Sequence, residues 1–138
     1  MSDDGESVAI PTPLSAHARY RLENLTRHVT LSSAAMAACT FWRRLAGLLG
    51  RRSMAVDEAL IFPECRSVHT WFMRMPIDVM AIGRDGAVLH CAACVRPWRM
   101  VWPVPGAWAI VELAPGAIRT SGTAVGDRLA LIPLTHPP

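Results

Sequence analysis

Three side chains able to hold or move a proton, His69, Asp78 and Glu112, stand in strongly apolar company in this chain. His69 opens the stretch His69-Thr70-Trp71-Phe72-Met73-Arg74-Met75-Pro76-Ile77-Asp78, which runs into Val79-Met80-Ala81-Ile82, and Glu112 lies within Ala109-Ile110-Val111-Glu112-Leu113. A charged carboxylate is rarely buried unless it is paired, hydrogen-bonded or shifted towards its neutral form. Two acids in such surroundings leave two readings. Either they accept hydrogen bonds from backbone amides and fix strand ends, or they are the few polar groups of an otherwise apolar pocket. In the second case burial lifts a carboxyl pKa towards neutrality, where proton transfer is efficient, and His69 could work with one of the acids as general base. Thr70, Met73, Arg74 and Arg99 are the further side chains such a polar site could draw on. No nucleophile elbow, phosphate loop or complete triad accompanies them, so enzymatic activity stays open and no catalytic residue is assigned.

The sulfur-containing residues are the other candidates. Cys91-Ala92-Ala93-Cys94 has the spacing of a zinc or redox pair, but that chemistry needs a turn or helix start to bring the sulfurs together. In a strand, residues three apart point to opposite faces, and no second cysteine or histidine pair completes a ligand set, so neither a metal nor a cofactor is expected. His69, Met73 and Met75 are of types that suit Cu(I). On an extended strand His69 and Met73 are about 13 Å apart, too far for one ion unless the backbone turns.

A chain of 138 residues that is 51% hydrophobic and 18% charged builds one core and is not wholly disordered. Its apolar runs fall short of the ~20 residues of a membrane-spanning helix, so a soluble protein without a membrane partner is expected. Every basic residue is Arg, scattered rather than clustered, and the net charge of +3 includes Asp3, Asp4 and Glu6 in the leader. Without a basic patch or recognition motif, nucleic acid is not the expected partner; a small polar ligand or a peptide is. The acidic opening Met1-Ser2-Asp3-Asp4-Gly5-Glu6 does not match a secretory signal, which points to the cytoplasm and to reduced Cys39, Cys65, Cys91 and Cys94.

The elements that must position these residues are mostly strands. Residues 1–18, with Pro11 and Pro13, read as a disordered tail, 20–133 as a single mainly β domain, and 134–138 as a loose end. Short strands are expected from Tyr20 and His28, a helix over about residues 40–50 with Thr40 as N-cap, and a strand at Glu58–Phe62. The His69 to Met75 stretch should extend beside that strand until Pro76 ends it. Ile77 to Gly83 and Ala87 to Val95 form a hairpin about Asp85-Gly86, which pairs Met80 with Cys91 and Asp78 with Ala93. Three prolines exclude Arg96–Pro105 from a central strand, so Trp98 and Trp102 sit on a loop that covers a pocket or a sheet face. Ala107 to Leu113, with Trp108, Ile110 and Glu112 on one face, and Ala124 to Ile132 complete the strands.

Arg44-Leu45-Ala46-Gly47-Leu48-Leu49-Gly50-Arg51, the His69 to Val79 block, Asp85-Gly86, Val111-Glu112-Leu113-Ala114-Pro115-Gly116 and Gly126-Asp127 follow one another in an order and spacing that resemble the bacterial and archaeal family catalogued as domain of unknown function number 192. The resemblance covers roughly residues 28–133 and departs at Leu49, where Met is common. It implies a compact, mainly β fold with one short helix; the family's activity is not established, so it carries over no catalytic residue. The expected architecture is an antiparallel β-barrel or sandwich-like single domain, with an α+β arrangement as the alternative. The expected function is a binding or accessory module with His69, Asp78 and Glu112 at its polar site.

Overall fold

The computed structural model describes residues 10–134, except 12, 16, 39–52 and 71–72 and the side chains of 68 and 69. The helix expected at about residues 40–50 lies outside the described residues. Strands β1 (Arg19–Asn24), β2 (Val29–Ala37), β3 (Glu58–Pro63), β5 (Ile77–Ile82), β6 (Val88–Val95), β8 (Ala109–Leu113) and β9 (Leu129–Pro133) form one sheet in the order β6-β5-β8-β3-β2-β1-β9. A separate ribbon pairs β4 (Val68–His69) with β7 (Met100–Val101), and a five-residue helix α1 (Ala117–Ser121) follows β8. The fold is mainly β, and the seven-stranded sheet curls into a half-barrel.

Strands β5 and β8 are buried at every position, as their largely apolar runs, each holding a single acid, predict. Alternation then sends successive side chains into two separate cores. One side of the sheet gathers Leu22, Ile61, Met80, Val111, Leu113 and Leu129. The other gathers Phe62, Ile77, Val79 and Ile110 beneath Met54, Met73, Met75 and Val101. The cover over this second face is two segments held side by side, Thr70 N donating to Arg99 O at 2.8 Å, Val104 N to Arg66 O at 3.0 Å and Cys65 N to Trp108 O at 3.2 Å.

The sheet's two edge strands meet at one end. Ala87 bridges Arg128, Val88 N donates to Asp127 O at 2.8 Å, and Leu129 N donates to Gly86 O at 2.8 Å. This closure requires glycine: Gly86 has φ 86°, and a Cβ there would lie 2.2 Å from Leu129 O. Asp127 anchors the joint, with Oδ2 accepting from Arg27 Nε at 2.6 Å, Asn24 Nδ2 at 3.0 Å and Ala124 N at 3.1 Å. The Arg27 side chain, then that of Asn24, hold the Asp127 carboxyl down at about 2 against an unfolded value of 3.8. A lowered folded value means stabilisation that is present above 3.8 and lost as the pH falls towards 2. Asp127→Asn should therefore be less stable than wild type at pH 7 and should lose less stability over that acid range, as read by urea melts at stepped pH.

The β5/β6 hairpin shows how the expected register is reached. Gly86 N donates to Gly83 O at 2.9 Å and Gly83 N to Ala87 O at 3.0 Å, so the turn spans Arg84-Asp85-Gly86 rather than two residues. That offset is undone by a bulge between Ala81 and Ile82, and Met80 pairs with Cys91 as expected. A second bulge follows: Ile77 pairs with Val95 and Val79 with Ala92, so Asp78 faces both Ala93 and Cys94 instead of Ala93 alone.

Other differences have physical causes. The expected tail does not run free to residue 18, because Ile10 and Leu14 are buried in the first core and Tyr20 Oη accepts from Ser15 N at 2.9 Å. The stretch from His69 to Met75 does not extend along β3. Its strand ends at His69 and pairs with β7, and Met73 N donates back to Thr70 O at 3.2 Å. Neighbouring pairs in the sheet are antiparallel except β2 and β3, which run parallel; the segment joining them is long enough for the crossover that parallel pairing needs. Trp108 precedes β8 and packs against the first core, leaving Ile110 and Glu112 to the other face.

Candidate functional site

Glu112 sits at the centre of the sheet, between Leu60 of β3 and Val79 of β5. Strand alternation puts it on the face of Ile110 and Val79, under the methionine-rich cover. It is 4% exposed. No group among the described residues donates a hydrogen bond to its carboxyl, yet none of their sealed side-chain polar atoms lacks a partner. Its oxygens are therefore not fully sealed and keep part of that small remaining exposure. Burial without compensating donors pushes its pKa up to about 7. Near neutral pH the group can accept a hydrogen bond as the carboxylate or donate one as the acid.

Asp78 is adjacent in register yet on the other side. It pairs with Leu113, one position from Glu112, so its side chain joins Met80 and Leu113 on the first core. Oδ1 accepts from Cys94 N and Oδ2 from Ile118 N, both at 2.8 Å. The first bond uses the amide freed by the bulge, where Cys94 takes a positive φ of 51°. The second caps α1 from a distance, because Gly116, in the N-cap position, has no side chain to do so. Asp78 is thus a brace between β5, β6 and α1. It does not form a carboxylate pair with Glu112, since the sheet lies between them.

The remaining candidates divide by place. Met73 is buried in the second core, on the Glu112 side. Thr70 is fully buried in the cover, where its hydroxyl donates to Arg96 O at 2.6 Å and accepts from Arg99 N at 2.9 Å, tying the Arg96–Arg99 turn to the ribbon. Arg74 and Arg99 are exposed. The backbone of His69 pairs with Met100 in the same cover, while its side chain lies outside the described part. Cys91 is half-buried against the first core, and burial, then the charges of Asp127 and Asp78, push its thiol up and away from the reactive thiolate. Cys94 is exposed at the bulge. Among the described residues no group of three or more His, Cys, Asp or Glu could hold a metal ion. Sequence reasoning missed the Asn24–Arg27–Asp127 anchor and helix α1; Gly126-Asp127 after a buried polar strand end was the available signal for the first.

Fold and site together define a small, mainly β domain built on a curled sheet with one buried acid beneath a methionine-lined cover. The chain matches the family described as Uncharacterized ACR, domain of unknown function 192, over residues 23–131, and it belongs to that family. An uncharacterised UPF0127 protein of Pyrococcus furiosus is 33% identical over 109 residues, spanning 77% of this chain and 93% of the relative. Another from Thermococcus sibiricus is 32% identical over 114 residues, spanning 78% and 72%. A crystal structure from Sinorhizobium meliloti, provisionally described as a transcription regulator, superposes with a TM-score of 0.68 at 27% identity, covering 83% of this chain and 92% of that one. A Novosphingobium aromaticivorans protein of unknown function shares the fold with a TM-score of 0.68 at 19% identity, covering 92% and 99%. No helix among the described residues is long and apolar enough to cross a membrane.

Proposed function

We propose that this chain is a ligand-binding module in which Glu112 is the polar contact for a small hydrogen-bonding ligand. One observation carries the reading: a carboxyl 4% exposed, without a donor among the described residues, faces an apolar layer of Met54, Met73 and Met75. Buried polar groups left without protein partners are uncommon and call for an explanation, and a ligand donor supplies one. Methionine side chains suit a cover that reshapes around a guest. Asp78 is not part of the site, because its oxygens are already engaged by backbone amides. Among the described residues, the provisional description of the Sinorhizobium protein as a transcription regulator finds no support in α1, which at five residues is too short to read a major groove.

The test is a thermal-melt screen of wild type and Glu112→Gln against small amines, amides and polyols. A binder should raise the wild-type midpoint in a concentration-dependent way and lose most of that effect in the variant. If no compound shifts wild type, or every shift survives in Glu112→Gln, the proposal is wrong.

A further inference from the structure

A second surface of the molecule carries features that the proposed Glu112 site does not use. Three large apolar side chains are exposed within five positions, Trp98 at 57%, Met100 at 44% and Trp102 at 75%. Such clustering on a soluble domain marks an interaction site more often than a chance arrangement. Beside them runs a groove of about 400 Å³, with His90, Ala92 and Val95 of β6 on one side and Met100, Trp102 and Pro103 on the other. That volume is within the range of ligand-binding clefts.

The β6 wall is a sheet edge. β6 is terminal in the strand order, and beyond the closure at Ala87 and Val88 no strand among the described residues pairs with its outer side. Exposed edges are normally guarded by charged side chains, prolines or bulges. The sequence Val88-Leu89-His90-Cys91-Ala92-Ala93-Cys94-Val95 holds no proline and no Asp, Glu, Lys or Arg. Its bulges lie towards the two ends, leaving His90–Ala92 as a regular stretch beside the groove. At the far end Arg96 and Arg99 are both exposed, next in sequence to Val95 and Met100 of the groove wall.

We propose that this groove binds an extended peptide of another protein, added to the β6 edge over a few residues, with aliphatic side chains against Trp102 and Met100 and an acidic flank at Arg96 and Arg99. Main-chain bonds to the edge supply general affinity, alternate side chains in the groove supply selectivity, and the arginines select the sign of the flank. A membrane surface would use the same tryptophans and arginines but not a concave groove or a strand edge. The proposal does not depend on Glu112, so each site can fail without the other.

The probe is an array of synthetic nonapeptides with alternating Val, Leu and Ile, flanked by Asp and Glu or by Lys and Arg, followed by fluorescence anisotropy on the best binder. Acidic-flanked peptides should bind saturably, Trp102→Ala should weaken them about tenfold or more, and Arg99→Glu should reverse the preference for the flank. Both residues are exposed, so these variants should fold; Val125→Ala, 63% exposed elsewhere, should bind as wild type does. N-methylation at alternate backbone nitrogens should abolish binding. The proposal is overturned if no peptide of the array binds saturably below about 1 mM, if N-methylated peptides bind as well as the parent, or if phosphatidylglycerol vesicles, and not peptides, are bound through Trp102.

Discussion

Glu112→Gln should be more stable than wild type at pH 8 and should flatten the pH dependence of the wild-type protein between pH 4.5 and 8.5. The folded pKa of about 7 lies above the unfolded value of 4.5 because burial disfavours the charged form. A raised folded value means that the native state binds the extra proton, so its stabilising effect is complete below 4.5 and is lost as the pH rises through 7. Integrated over that interval the loss is on the order of 3 kcal/mol, a large share of the stability of a small domain. Glutamine keeps the shape of the side chain and removes both its charge and its titration. Urea melts of both proteins at stepped pH measure the difference directly. Parallel curves, with no gain for the variant above pH 7, would mean that the carboxyl is solvated or neutralised by a counter-charge, and the proposed binding role would lose its electrostatic basis. The same property bears on binding. Below its pKa the site offers a donor, above it an acceptor of full charge, so affinity for a cationic ligand should grow across neutrality.

Much of this arrangement was legible in the residues, and the rest was hidden for identifiable reasons. The Asp85-Gly86 turn placed the β5/β6 hairpin, and Met80 meets Cys91 even though the turn is one residue longer than a tight one, because the bulge at Leu89 absorbs the offset. The apolar settings of Asp78 and Glu112 correctly marked both acids as buried. What no local pattern could supply was their relation. β5 and β8 are neighbours without being consecutive, so the register that sets Val79 against Glu112, and with it the opposite faces of the two acids, exists only in the assembled sheet. The ribbon of β4 and β7 was equally hidden, since two-residue strands carry no periodicity and are defined by their partners. Helix α1 is too short for a helical repeat and depends on a cap supplied from Asp78, distant in sequence.

Asp78→Ala should cost about 3–5 kcal/mol, and Asp78→Asn somewhat less, because each carboxylate oxygen meets a backbone amide in charge-assisted hydrogen bonds worth roughly 1.5–3 kcal/mol each. Alanine strands both amides; asparagine can accept from one but turns its NH2 donors towards the other. The damage should be local before it is global. Hydrogen exchange at Cys94 N and Ile118 N should accelerate ahead of that in β8, since those two amides lose their acceptor while the central ladder is intact. This pattern separates a brace from a binding residue. If the variants kept wild-type stability and exchange while losing a ligand found with the Glu112 screen, Asp78 would belong to the site after all. If they unravel the bulge and α1 first, the acid in the chain's most distinctive block serves to lock the sheet edge, and Glu112 on the opposite face is left as the acid free to meet a ligand.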